Sequence, residues 1–415
     1  MTTKPFNIPK QLVMQAYQQV KSNGGAAGVD QQSLTDFDLN LKDNLYKIWN
    51  RMASGSYFPP AVRAVAIPKK TGGERILGIP TVSDRIAQMV VKLVIEPLVE
   101  PHFLADSYGY RPNKSALDAV GITRQRCWWY DWIVEFDIKG LFDNIDHTLL
   151  MKAVKKHLND PWVILYIERW LKAPVQQPNG ECLARTKGTP QGGVISPVLS
   201  NLFLHYVFDV WISKNYTQLP WCRYADDGVV HCKTEKEAQE IKTQLEERFK
   251  ECALELHPEK TKIVYCKDGM RKGKYSTTTF TFLGYDFRRR KAKSQKTGRV
   301  FLNFGPAVSK EAATSMREKV RQSGMRLRSE TSIQELATEY NPILRGWIEY
   351  YGRYYPTALN PVWTHFNRSL VKWAMRKYKK LRGKKIKASV FIQKIMKTQP
   401  ELFAHWKLGT WARFA

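Results

Sequence analysis

After Asp286 the sequence contains no further aspartate, and from Arg288 to Ala415 only 7 glutamates stand against 29 lysines and arginines. The first 287 residues are close to balance, with 37 basic and 31 acidic side chains. Most of the formal charge of +28 therefore belongs to the C-terminal third, which excludes a uniformly basic, disordered tail protein. Long apolar runs are also lacking. The most apolar stretch, Ile86 to Val99, is broken by Lys92, Glu96 and Pro97, well short of the roughly 18–20 residues a bilayer span needs. The N-terminus MTTKPFNIPK has no apolar segment behind its basic start, which argues against a secretory signal, and it lacks the Arg and Ser of a transit peptide. The six cysteines are scattered and form no CxxC pair, which disfavours a disulfide framework and a structural zinc site alike. A soluble protein of a reducing compartment, not secreted, is expected.

What is present is a core-forming composition, 43% hydrophobic and 12% aromatic, on 415 residues. A charge surplus of this size favours a polyanionic partner, nucleic acid before membrane. Its densest part is RKYKKLRGKKIK, where Arg376, Lys377, Lys379, Lys380, Arg382, Lys384, Lys385 and Lys387 form a candidate phosphate-tracking surface. Residues 6–54 read as helical, interrupted at Asn23-Gly24-Gly25 and at Gly28-Val29-Asp30. AVRAVAIP alternates as a strand, KKTGGER reads as a hairpin turn, and Ile76 to Ile79 is the return strand. Helices are expected over Ser83–Val99, Ser115–Gln125, Asn201–Ser213 and Thr234–Cys252, and strands at WIVEFDI and Phe280–Phe287. WCRYADDGVVHC reads as a hairpin. Beyond Phe287 the pattern turns helical, with Ser332 and Glu335 spaced as a capping box. The aromatic stripes Tyr340, Trp347, Tyr351 and Trp363, Phe366, Trp373 recur at steps suited to a helix-packing core.

Chemistry is concentrated in carboxylates. Asp137 ends a strand in FDIKGLFDNIDH, and Asp226 and Asp227 lie at the tip of the YADD hairpin. If those strands are neighbours in one sheet the three converge, and clustered carboxylates require a compensating cation. Mg²⁺ suits oxygen ligands of this kind, and two ions about 3.5–4 Å apart would clamp an in-line phosphoryl displacement. Taken alone, an Asp-Asp turn is ordinary hairpin chemistry and a strand-end Asp can cap a helix.

Order decides between these readings. FDIKGLFDNIDH, GTPQGGVISPVLSNLFLH, YADD, HPEKTK and FLGYDF follow one another, preceded by AIPKKTGGERILGIPTVSDRIAQ and followed by YNPILRGWIEYYGRYY. Over nearly the whole chain this resembles the group II intron-encoded reverse transcriptases (maturases). The resemblance implies an α+β right-hand polymerase fold with fingers, a palm of antiparallel sheet and a helical thumb (domain X). The implied divisions are a fingers extension over 1–60, fingers and palm over 61–287, thumb over 288–390 and a basic C-terminal segment over 391–415.

By position, the resemblance assigns both metals to Asp137 and Asp226, with the Ile138 carbonyl, and a peripheral carboxylate to Asp227. Lys69 and Arg75 would hold the triphosphate. The backbone of Lys139, Gly140, Leu141 and Phe142 would line the nucleotide, with Gln191 and Gly192 bordering it. Lys260 or Lys262 would protonate the leaving pyrophosphate. Phe142, five residues after Asp137, matches the aromatic that blocks a ribose 2′-OH, although a core phenylalanine at the strand–helix turn fits the same position. Gly28-Val29-Asp30 resembles the family's template-covering loop. The implied partners are structured intron RNA and an RNA template, a DNA or RNA primer and dNTPs, with no membrane. The implied cofactors are two Mg²⁺ ions, replaceable by Mn²⁺, and the setting a bacterial cytoplasm.

Many family members continue into an HNH endonuclease with paired cysteines; no such segment follows here, so DNA cleavage by this chain is not expected. Two alternatives share the motifs: an intron-free relative with a host role in repair or defence, and a non-catalytic RNA-binding splicing factor, against which the three aspartates argue.

Overall fold

The computed structural model describes residues 4–68, 73–293 and 296–408. The chain is α+β and divides into two compact units. The first comprises residues 1–119 and 134–262, the second 120–133 and 263–415.

In the first unit, helices Lys10–Asn23, Leu34–Leu39 and Leu41–Ala53 precede a small sheet. Ser33 caps the second of them through a reciprocal box with Asp36. The sheet runs in the order Glu74–Ile79, Val62–Pro68, Val175–Gln176, Cys182–Leu183. Val62–Pro68 pairs antiparallel with Glu74–Ile79, Ile67 opposite Arg75, as expected of a hairpin. The turn between them, with Lys69, lies outside the described residues. Helix Val82–Val99 follows, capped by the Thr81 hydroxyl at the Asp84 amide.

The YADD hairpin forms as read. Trp221–Tyr224 pairs antiparallel with Asp227–Cys232, Tyr224 opposite Asp227, so Ala225 and Asp226 make a two-residue turn. Its neighbour in the sheet is Trp132–Asp137. A two-residue turn that follows the sheet twist demands positive φ at its first position, and Ala225 supplies it at 55°. Gly228 is required for a different reason: a Cβ there would stand 2.1 Å from the Phe136 ring. Phe136, Phe208 and Phe249 pack behind the sheet with ring centroids 5.0–6.3 Å apart. The helix expected over Asn201–Ser213 is three pieces: Ser196–Leu204, a π turn at His205–Asp209, and Val210–Asn215.

In the second unit the helical expectation beyond Phe287 is corrected. Tyr285–Lys293 pairs with Val300–Val308 in a long antiparallel hairpin, and Phe280–Phe282 completes a three-stranded sheet. The strand was obscured because Arg288 to Lys293 are mostly exposed and basic on both faces, which erases the apolar alternation. Helices Lys310–Gln322, Ile333–Tyr351, Asn360–Lys377 and Lys385–Thr398 follow. The Ser332–Glu335 capping box is formed. Tyr340, Trp363, Phe366 and Trp373 are buried in this core with Leu336, Leu344 and Leu370, while Trp347 and Tyr351 are partly buried and pack against it. Helix Lys385–Thr398 runs through residue 391, and Phe403 and Trp406 belong to the same core cluster as Trp363 and Phe366.

Candidate active site

Three backbone hydrogen bonds set the aspartates side by side. The Ile138 amide donates to the Asp226 carbonyl at 3.2 Å, while on the other edge the Lys139 amide donates to Glu255 O at 2.9 Å and the His257 amide to Asp137 O at 2.8 Å. In an extended chain one residue's N–H and C=O point to the same edge, so the Ile138 carbonyl faces the YADD side. The Asp227 carboxyl lies close enough to that of Asp137 for a proton shared between them to favour its neutral form. Burial, then the charges of Asp226 and Asp137, push the Asp227 carboxyl up to about 7. Burial also raises Asp226, with Asp137 adding to it.

The Lys260 ammonium meets Asp137 Oδ2 at 3.0 Å. Burial opposes its charge, yet the three carboxylates outweigh that and raise its pKa. Lys262 is turned to Glu135 at 3.6 Å. Of the two lysines left open by the sequence, Lys260 is therefore the one at the aspartates. Among the described residues no three His, Cys, Asp or Glu side chains converge tightly enough to enclose a metal by themselves. The donor set nevertheless fits Mg²⁺, which is commonly held by one or two carboxylates with the rest of its shell from water and substrate phosphates.

Beside Asp137, Gly140 adopts a left-handed conformation (φ 58°) that turns the strand into the one-turn helix Leu141–Asn144. Leu141 and Phe142 are buried there. The Lys139 ammonium turns away to Glu255 at 3.1 Å. Arg75 Nε donates to Gln191 Oε1, and Gln191 Nε2 donates to Asp143 Oδ2 at 3.0 Å, so one side chain links the Arg75 strand to the turn after Asp137. Gly192 has φ 122°, and a Cβ on it would lie 2.6 Å from the Gly78 carbonyl.

Sequence reasoning missed two parts of this site. Tyr110 packs edge-on to Phe142 (6.4 Å) and also neighbours Tyr224. The backbone of Gly109 passes so close to the hairpin turn that a Cβ would stand 2.4 Å from the Ala225 amide, so a glycine between two tyrosines was the available signal. The second is Arg223, fully buried under the turn. Its guanidinium binds Asp209 at 2.7 and 2.6 Å, Asn201 Oδ1 at 3.2 Å, the Ala225 carbonyl at 3.1 Å and Ser107 Oγ at 2.8 Å. An arginine inside an apolar strand was the signal there.

In the second unit Arg326, Lys372, Arg376, Lys377, Lys379 and Arg382 line a groove of about 1000 Å³, with Glu330 its acidic member. Lys380, Lys384, Lys385 and Lys387 are exposed outside that lining. Lys377 is partly committed, donating to the Ser329 carbonyl at 3.0 Å. Among the described residues no helix is long and apolar enough to cross a membrane.

Residues 67–287 match the family model described as reverse transcriptase (RNA-dependent DNA polymerase), and residues 313–391 match that of the group II intron, maturase-specific domain. Curated relatives include Protein YkfC of Escherichia coli (strain K12), 31% identical over 64% of this chain and 77% of the relative. The group II intron-encoded protein LtrA of Lactococcus lactis subsp. cremoris is 29% identical over 81% of this chain and 68% of its own. A putative COX1/OXI3 intron 1 protein of Saccharomyces cerevisiae is 30% identical over half of this chain and a quarter of its own.

Proposed function

Because the chain belongs to the reverse transcriptase (RNA-dependent DNA polymerase) family and carries a group II intron maturase-specific domain, we propose that it copies intron-containing RNA into DNA and assists that intron's splicing and mobility. The convergence of Asp137, Asp226 and Asp227, with Lys260 on Asp137, carries this reading. The family's chemistry uses divalent metal ions, here two Mg²⁺. Asp137 and Asp226 would hold them with the Ile138 carbonyl, and Asp227 would stand at the periphery. When bound, the ions neutralise the clustered carboxylates and the charge of the transferring phosphoryl group.

The remaining work falls to the protein's own side chains. Arg75, braced by Gln191, and Lys69 hold the triphosphate of a dNTP. Gly140 and Gly192, exposed and without side chains, border the nucleotide with their backbone, and Leu141 continues that border with its side chain buried behind it. Phe142, packed against Tyr110, fills the space a ribose 2′-OH would need. The primer 3′-hydroxyl gives up its proton to solvent and bonds the α-phosphorus, the bond from that phosphorus to the bridging oxygen of pyrophosphate breaks, and Lys260 delivers a proton to the departing pyrophosphate. The basic groove of the second unit grips structured RNA through its phosphates, since A-form helices hide their base edges.

Primer extension on poly(rA)/oligo(dT) with Mg²⁺ tests the reading, with Asp226→Ala as the control. Extension no greater than the control would leave an RNA-binding role alone. A Phe142→Ala variant that still rejected ribonucleotides would remove the gate.

A further inference from the structure

Helix Val82–Val99 buries three polar side chains in its first turns: Arg85, which donates to the Gly24 and Ala26 carbonyls, and Asp84 and Gln88, 1% and 2% exposed. Asp84 and Gln88 are i,i+4 neighbours, and Gln88 Nε2 donates to Asp84 Oδ2 at 2.9 Å. The other oxygen, Asp84 Oδ1, accepts from Trp170 Nε1 at 2.7 Å and from the Tyr57 hydroxyl at 2.8 Å. A carboxylate buried in this way is held by donors on both oxygens.

Gln88 Oε1 faces the opposite way. It accepts from the Val194 amide at 2.8 Å and the Ile195 amide at 3.4 Å, immediately after the Gln191-Gly192-Gly193 turn. The amide can point in only one direction here, because a flipped Gln88 would set its NH₂ against two backbone donors and its carbonyl against a carboxylate. Backbone bonds hold the turn in part, the Gly78 amide donating to the Gln191 carbonyl at 2.8 Å and the Gly193 amide to the Pro190 carbonyl at 3.0 Å, and Gln88 adds a side-chain contact behind it. Gly192 and Gly193 have no side chains, and a Cβ on Gly193 would meet Ser196 Oγ at 2.6 Å and Gln88 Oε1 at 3.3 Å. From its other side the turn sends Gln191 to Arg75 and Asp143.

We propose that Gln88, oriented by Asp84, is a positioning residue for the incoming nucleotide: it fixes the Gln191–Gly192 turn from behind, without touching substrate. This rests on the nucleotide role proposed above for Arg75 and Gln191. The Asp84–Gln88 pair transmits orientation through hydrogen-bond polarity, so exchanging that polarity tests it in a way that volume or burial does not.

Gln88→Met removes all three bonds, the one to Asp84 and the two from the backbone amides. Asp84→Asn keeps an acceptor for Tyr57 and Trp170 but presents NH₂ to the NH₂ of Gln88. In the double variant Asp84→Asn/Gln88→Glu, the new amide donates to the new carboxylate, which still accepts both backbone amides, and the net charge of the pair is unchanged. Steady-state primer extension by the full chain, with primer–template affinity measured separately, reads the outcome. Each single variant should raise KM for dNTP about tenfold, the size of one hydrogen bond to a charged group, with primer–template affinity held. The double variant should return KM to within about threefold of the parent, a coupling that a double-mutant cycle isolates. Additive losses in the double variant, or single variants that lower thermal stability while leaving KM for dNTP unchanged, would overturn the inference. Arg75→Ala and Gln191→Ala separate the two levels. If they leave KM unchanged the nucleotide reading itself fails, and if they raise it while the Gln88 variants do not, the positioning role alone fails.

Discussion

Arg223→Met removes the cation from under the YADD hairpin and leaves the Asp209 carboxylate buried beside the His205 imidazole, 4.0 Å away, whose pKa burial pushes down to about 4. Both side chains are fully buried and meet at 2.6 Å. All five guanidinium donors are used, two on Asp209 and one each on Asn201, Ala225 and Ser107. Breaking such a pair from one side costs about 3–5 kcal/mol, because the surviving charge keeps its desolvation penalty and loses its compensation. For a unit of roughly 250 residues each kcal/mol moves the midpoint by about 2–4 °C, so the unfolding temperature should fall by about 6–20 °C. Asp209→Leu should cost a similar amount. The pair Asp209→Leu/Arg223→Met buries no charge and should recover most of the stability, since apolar replacement of a whole buried ion pair is often neutral or better. Polymerase activity should not recover with it: the Ala225 carbonyl and Ser107 hydroxyl, which tie the YADD turn to the segment before Gly109, still lack their donor. Thermal unfolding followed by tryptophan fluorescence, with primer extension on the same samples, provides both readouts. A double variant as unstable as the worse single one would refute the uncompensated-charge argument, and one with restored extension would refute the claim that Arg223 positions the turn.

Lys260→Met should lower the extension rate by about 10²–10⁴, the usual contribution of a positioned proton donor, while Lys262→Met stays within a few-fold of the parent; pre-steady-state incorporation distinguishes them. In the second unit, His405 is buried against Trp363 and pairs with Asn367 Oδ1 at 2.9 Å. Burial depresses its pKa to about 3, from 6.5. The unfolded chain takes up this proton below about pH 6.5 and the folded chain does not until about pH 3, so its contribution to stability is full above the upper value and is lost as pH falls between them. Thermal unfolding should therefore drop between pH 7 and 5 in the parent and by a smaller amount in His405→Gln. Arg376→Ala/Arg382→Ala should reduce the slope of log affinity against log salt for structured RNA by about 2, measured by filter binding over a salt series.

The sequence made the chemistry legible before the architecture. Asp137, Asp226 and Asp227 stand in short motifs whose flanking apolar strands declare themselves, and the Ser332–Glu335 box marks a helix start through contacts only three residues long. The supporting polar groups were not legible in this way. Asp84 and Gln88 sit in a helix where a polar residue reads as surface, and their partners Trp170 and Val194 are about 90 and 100 residues away. Asp209 reaches Arg223 from a π turn, a one-residue departure from helical periodicity that a 3.6-residue pattern does not show. The basic hairpin Tyr285–Lys293 with Val300–Val308 escaped for the opposite reason: its charges are what the pattern shows, and they conceal the strand.

The segment Val120–Ile133 gives the chain an unusual inheritance. The two family matches, 67–287 and 313–391, follow one another along the sequence, yet the second compact unit contains this stretch from the middle of the first match. A single genetic crossover between residues 287 and 313 would therefore deliver a second unit grafted onto someone else's Val120–Ile133. Exchange of that unit between lineages would require two coordinated joins, or a recipient whose corresponding segment already suited the newcomer. The unit that carries the maturase-specific match and the unit that carries most of the reverse transcriptase match would be expected to descend together and not by shuffling.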